Sequence, residues 1–186
     1  MLPTTETRYS RALIRNVNEI IAAVFERRAL VGLEEAEAAH PWNFFRVAYN
    51  ALFNDMLAHC MRVLDRNQQS ASFWYLYHCE QKVVDQFVKE MGIDWSLVEA
   101  MADKLKHVRD KTHFHVDRDA VKSPQAVWKT AEIKAVDLAT CFDSLWRIVE
   151  FLHVRLYELP PSVPSYDGTD ATRIVQAAQK AGIISQ

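Results

Sequence analysis

Apolar residues recur at every third and fourth position across most of this chain, and only four glycines stand among its 186 residues. A 3.6-residue period gathers such side chains on one face of a helix, whereas a turn-rich β fold needs glycine wherever the backbone bends sharply. The length suits one well-buried domain, and 49% hydrophobic with 25% charged residues is the balance of a globular protein. The expected fold class is all-α.

From about Thr7 to Val31, the residues Leu13, Val17, Ile20, Val24 and Val31 make one apolar stripe, closed by Gly32. The acidic segment LEEAEAAHPW that follows reads as a connection ended by Pro41. Asn43 is the expected N-cap of a second helix, to about Arg66, with Phe45, Tyr49, Leu52, Met56, Cys60 and Val63 on its buried face and Phe44, Val47, Ala51 and Leu64 widening it, so that the helix is expected to be central and buried on more than one side. Ser70 or Ser72 opens a third, which is expected to bury Phe73, Leu76, Val83, Val84, Phe87 and Met91 and to stop at Gly92. A fourth starts between Asp94 and Ser96, and Leu97, Met101, Leu105, Val108 and Thr112 follow at helical spacing. The fifth spans about Pro124 to Glu158, as one rod or as a bent one. Pro160, Pro161 and Pro164 then form a stiff linker to a short helix, capped by Thr169-Asp170 and ended by Gly182. The layout is a bundle of four to five long helices over residues 1–159, with 160–186 as an appended linker and short C-terminal helix.

Composition narrows the function classes. A formal charge of -2 argues against coating nucleic acid through bulk electrostatics, while leaving room for a local phosphate site. Cys60, Cys79 and Cys141 are odd in number and far apart, which fits neither a disulfide framework nor a cysteine zinc site. The polar N-terminus does not read as a signal peptide and no window is apolar enough for a membrane span, so a cytoplasmic protein without a membrane partner is expected. No Gly-rich phosphate loop, G-x-S-x-G elbow or basic helix-turn-helix is present, which disfavours nucleotide hydrolysis, esterase chemistry and sequence-specific DNA binding.

The densest run of ionisable residues is Lys104 to Pro124, KLKHVRDKTHFHVDRDAVKSP, with three of the seven histidines. At about 100° per residue, His113 lies about 40° from Arg109 around a regular helix and His115 about 120° away. His115 therefore meets Arg109 only if the helix frays or bends near Thr112 to Phe114. Histidine moves protons near neutral pH and arginine stabilises charge growing on a phosphate, so the set suits RNA phosphodiester cleavage without a metal. Asp110 is placed either to orient a histidine or to hold Arg109. The competing reading is a solvated surface, which such charge alternation near a helix end commonly is.

Arg109-Asp110-Lys111-Thr112-His113-Phe114-His115 resembles the signature of the HEPN superfamily: an arginine, a polar residue next, and a histidine after four to six intervening residues, five in the case of His115 and only three in that of His113. His115-Val116-Asp117 is similar to the H-x-D ending of the AbiU-type, abortive-infection branch. Leu52-Phe53-Asn54-Asp55 and Arg62-Val63-Leu64-Asp65 resemble the second long helix of that branch. The resemblance implies a helical bundle that dimerises so that two arginine-histidine motifs meet in one cleft. It also implies a metal-independent endoribonuclease of toxin or phage-defence type, often paired with a nucleotidyltransferase-type antitoxin. Carried onto this chain, it makes Arg109 the phosphate stabiliser, His115 the acid or base and Asp110 the residue that orients them, with His113 as substitute histidine. Other members bind RNA or a partner protein without cleaving, and that is the alternative.

Two further patterns are set aside. His107, His113, His115 and Asp117 include an H-x-H, but no H-E-x-x-H or E-x-x-H accompanies it, and His59 and His78 stand singly among apolar positions as hydrogen-bonded core histidines do. No metal and no cofactor is expected. The aromatic run Phe73-Trp74-Tyr75-Leu76-Tyr77 could stack bases, but its helical neighbours Val83, Val84 and Phe87 favour core packing.

Overall fold

The computed structural model describes residues 7–34, 43–113 and 124–183. Among them the fold is all-α, as expected, with eight α-helices and no strand. They are α1 (Arg8–Gly32), α2 (Phe44–Val63), α3 (Phe73–Cys79), α4 (Gln81–Glu90), α5 (Trp95–Val108), α6 (Pro124–Ala131), α7 (Ala135–Tyr157) and α8 (Thr169–Lys180), with a π-helical turn (Arg109–His113) directly after α5. None of the described helices is long and apolar enough to cross a membrane.

Helix starts follow local chemistry. The Asn43 side chain accepts a hydrogen bond from the Phe45 N–H at 3.0 Å, satisfying one of the donors that a helix leaves open at its N-terminus. Between the two caps offered for α5, Asp94 is the one used: its carboxylate accepts from the Leu97 N–H at 3.2 Å, while Ser96 lies inside the helix and donates its hydroxyl to Asp94. Those bonds lower the Asp94 carboxyl below its ordinary value, the Ser96 hydroxyl first and the Leu97 amide second. At the other end of α4, Gly92 takes a positive φ of 61° and Ile93 donates back to the Val88 carbonyl, the αL termination that glycine makes cheap.

Two expected long helices are each broken. The third is interrupted at Glu80, whose N–H bonds to the Leu76 and Tyr77 carbonyls while its own carbonyl accepts from Val83 and Val84, so that one residue ends α3 and begins α4. The fifth breaks at Glu132, which adopts a left-handed φ of 48°, and Lys134 is extended before α7. Neither break carries glycine or proline. A contact from another helix supports the second: Lys104 of α5 donates to the Glu132 carbonyl at 2.9 Å, satisfying an acceptor exposed where α6 ends.

The chain divides into two compact units, and the boundary falls inside α1 and inside α2. Unit 1 comprises Met1–Asn18 and Met61–Pro161. In it α5 packs against α6, α7 and the π turn, with Val98, Met101, Ala102, Leu105 and Val108 buried at three- and four-residue intervals. On α7, Cys141, Phe142, Leu145, Ile148, Val149 and Leu152 are buried, and Phe151 stacks on Phe87 of α4 with ring centroids 4.2 Å apart. Phe73 and Trp74 are core residues, in line with the packing reading, and the Trp74 indole donates to the Leu64 carbonyl at 3.0 Å. The amide of Asn16, buried to 1% exposure, donates to the Ala12 and Ala71 carbonyls, as a buried polar group requires.

Unit 2 comprises Glu19–Cys60 and Ser162–Gln186. Leu33, Phe45, Ala171, Val175 and Ala178 form its core, with Tyr49 and Leu52 against them. Helix α8, expected as an appendage, is thus a core element of this unit. Two glycines let it approach α1. A Cβ on Gly168 would stand 2.3 Å from the Arg28 carbonyl oxygen, and one on Gly32 would stand 2.8 Å from the Ala171 Cβ.

Gly168→Ala combines a left-handed φ of 79° with that backbone collision, whereas Gly92→Ala places its methyl in open space. Gly168→Ala is expected to cost about 2–3 kcal/mol of stability and Gly92→Ala about 1 kcal/mol. Urea denaturation checks this, and equal losses would show that the close approach carries no weight. Thiol reactivity is a second check. Cys60 and Cys141 are buried and Cys79 is exposed, and burial pushes the Cys141 thiol up to about 12. Native protein at pH 8 should therefore release one equivalent rapidly with a chromogenic disulfide, and three after unfolding.

Candidate functional site

Arg109 sits where α5 gives way to the π turn. In an α-helix each N–H reaches back four residues, and in a π turn it reaches back five, so rotation per residue is smaller. The regular-helix reckoning that sets His113 about 40° from Arg109 therefore does not apply past Val108. The backbone of His113 closes the π turn, while His115 and Asp117 lie outside the described residues.

The partner of Arg109 comes from a distant part of unit 1. Helix α2 ends at Val63, short of the expected Arg66, and Asp65 stands in the segment beyond it. There Asp65 Oδ1 accepts the Asn67 N–H at 3.2 Å, a local turn that aims the carboxylate, and also Nη1 of Arg109 at 2.7 Å. Asp110 Oδ1 accepts Nε of the same guanidinium at 3.0 Å. Of the two roles open to Asp110, this geometry is that of holding the arginine. Arg109 and Asp65 are each 23% exposed, against 44% for Asp110. Partial burial works against the Arg109 charge, but the hydrogen bonds it donates to Asp65 and Asp110 and their negative charges outweigh it, so its pKa lies above the ordinary arginine value.

A crevice of about 10 Å³ opens beside this pair, lined by Asp65, Arg66, Lys106 and Arg109 over Leu64 and Leu105. That is roughly the room one water needs. Arg66 is engaged elsewhere, with Nη1 3.0 Å from Asp103, Nη2 donating to the Glu99 carbonyl at 3.3 Å and its guanidinium 4.8 Å over the Trp74 ring. The arrangement supplies a fixed, half-buried cation, its Nε and Nη1 already bonded to carboxylates, with a lysine beside it.

The remaining histidines divide. His78 is exposed and its Nδ1 lies 2.5 Å from the Trp74 carbonyl, a local contact across one helical turn. His59 is not the solitary core histidine expected. Its Nδ1 lies 2.6 Å from Glu19 Oε2, and its Nε2 faces Glu26 Oε1 at 3.6 Å and Asp55 Oδ1 at 4.0 Å. The signal for it was in the sequence but spread over two helices: Glu19 and Glu26 are two turns apart on α1, and Asp55 and His59 one turn apart on α2. Asp65 was equally hard to see, being 44 residues from Arg109.

Compared with protein-family models, curated proteins and solved structures, the chain matches none.

The Arg109–Asp65 pair is better shielded than Arg66–Asp103, whose partners are 38% and 66% exposed. Double-mutant cycles with alanine should give a coupling of about 1–2 kcal/mol for the first and close to zero for the second. Equal couplings would remove the distinction between them.

Proposed function

We propose that this chain is a HEPN-like, metal-independent endoribonuclease of toxin or phage-defence type, with Arg109 binding the scissile phosphate and His115 transferring protons. The observation that carries the proposal is the placement of Arg109: a half-buried guanidinium held by Asp65 and Asp110 at the start of a π turn, an irregularity frequent at functional sites. Held in this way, the arginine is pre-oriented, and a phosphate could take over hydrogen bonds now made by a carboxylate. His113 is the substitute proton donor. A crevice the size of one water holds no nucleotide, which fits a site completed by a second copy of the chain, and a nucleotidyltransferase-type protein is the expected antitoxin.

The second reading, a non-catalytic module that binds RNA or a partner protein, draws on the same ion pairs. With two carboxylates on it, Arg109 has its charge already answered, as a structural arginine does.

Incubation with diverse RNAs in chelator separates the two. The nuclease reading expects cleavage to 2',3'-cyclic phosphate ends, falling about a hundredfold or more in Arg109→Ala and in His115→Ala. Loss in His113→Ala alone would keep the class and move the role to His113. RNA retention without cleavage by the unmodified protein would favour the RNA-binding module, and neither activity would remove the nuclease and the RNA-binding readings and leave a module for a partner protein.

A further inference from the structure

We infer that Glu26, Asp55 and His59 form a binding site for a divalent first-row transition-metal ion, with Glu19 orienting the histidine. All four residues belong to unit 2. One ligand atom from each of Glu26, Asp55 and His59 lies within 4.8 Å of the others.

The argument rests on how the imidazole is turned. At 2.6 Å from Glu19 Oε2, Nδ1 is placed to carry the proton and donate it to that carboxylate. In the neutral ring this leaves the lone pair on Nε2, and Nε2 is the atom directed at the other two carboxylates. Its distances of 3.6 Å to Glu26 and 4.0 Å to Asp55 exceed hydrogen-bond length. They suit ligands of one ion instead: two atoms each about 2.1 Å from a metal stand about 3.4 Å apart at a tetrahedral angle and about 4.2 Å apart when opposed. A carboxylate that donates no ligand atom but grips the far nitrogen of a ligating histidine is the usual support of such sites, and Glu19 has that position.

Burial agrees with this. Glu19, Glu26 and His59 are 16%, 16% and 18% exposed, while Asp55 is 61% exposed and gives the cluster an open side through which an ion and its waters can enter. One nitrogen and two oxygen donors select Zn²⁺, Mn²⁺ or a neighbour of theirs over Mg²⁺, which keeps most of its water and rarely takes imidazole. The competing arrangement is an imidazolium held between carboxylates with no ion.

Calorimetric titration of the chelator-treated full chain with ZnCl₂, MnCl₂ and MgCl₂ tests this directly. The expected result is one Zn²⁺ per chain, bound more tightly than Mn²⁺, with no Mg²⁺ binding. Asp55→Asn and His59→Ala should each weaken Zn²⁺ binding at least tenfold, and Glu19→Gln by about 10- to 100-fold with the stoichiometry retained. Because Asp55 is exposed, its variant keeps the test open if His59→Ala fails to fold. Cobalt substitution should give visible d–d bands, lost in Asp55→Asn. Zinc binding weaker than about 0.1 mM in the unmodified protein would overturn the inference and leave the ion-pair arrangement. So would affinity unchanged in Asp55→Asn but lost in a His113→Ala/His115→Ala double variant, because the ion would then sit on the H-x-H. None of these readouts depends on RNA cleavage.

Discussion

Burial of one face of α5 sets the terms for everything else in unit 1. Val98, Met101, Leu105 and Val108 are each no more than 1% exposed, and the helix that carries them packs against α6, α7 and the π turn. Removing four such side chains from water is worth several kcal/mol, far more than any one surface contact nearby. With that face buried, α5 cannot rotate, so Arg109 must emerge from its last turn at one azimuth. Asp65 is waiting there, delivered by the early end of α2 and a local turn at Asn67.

The same ordering of effects accounts for what could be read from the residues. Helix existence and class follow from hydrophobic period, which each residue carries with it. So do the caps at Asn43 and Asp94 and the glycine stop at Gly92, because each acts within four residues of itself. The break at Glu80 was invisible, and the bend left open in the fifth helix could not be placed at Glu132, since neither residue prefers a helix end. Glu132 holds a left-handed conformation with its carbonyl bonded to Lys104, 28 residues away.

Charged side chains were the least legible part. The run around Arg109 drew notice as local density, and Asp110 was correctly seen as able to hold Arg109, but the stronger contact is to Asp65. His59 shows the same limit from the other side. Its neighbours along α2 are apolar, which marked it as a core histidine, yet three carboxylates surround the ring and two of them come from α1. An ion pair between helices leaves no period in the sequence, because its partners need only complementary charge and a shared location.

By itself the sequence determined an all-α chain, the presence of its main helices and the caps at Asn43 and Asp94, since these depend on periodicity and on bonds between near neighbours. Only the tertiary structure decided that α8 belongs to the core of unit 2, that Gly168 must lie against the Arg28 carbonyl, and that Arg109 meets Asp65 while His59 meets Glu19. Those outcomes depend on which helix faces pack together, and packing is a property of pairs of helices that no single stretch of residues contains.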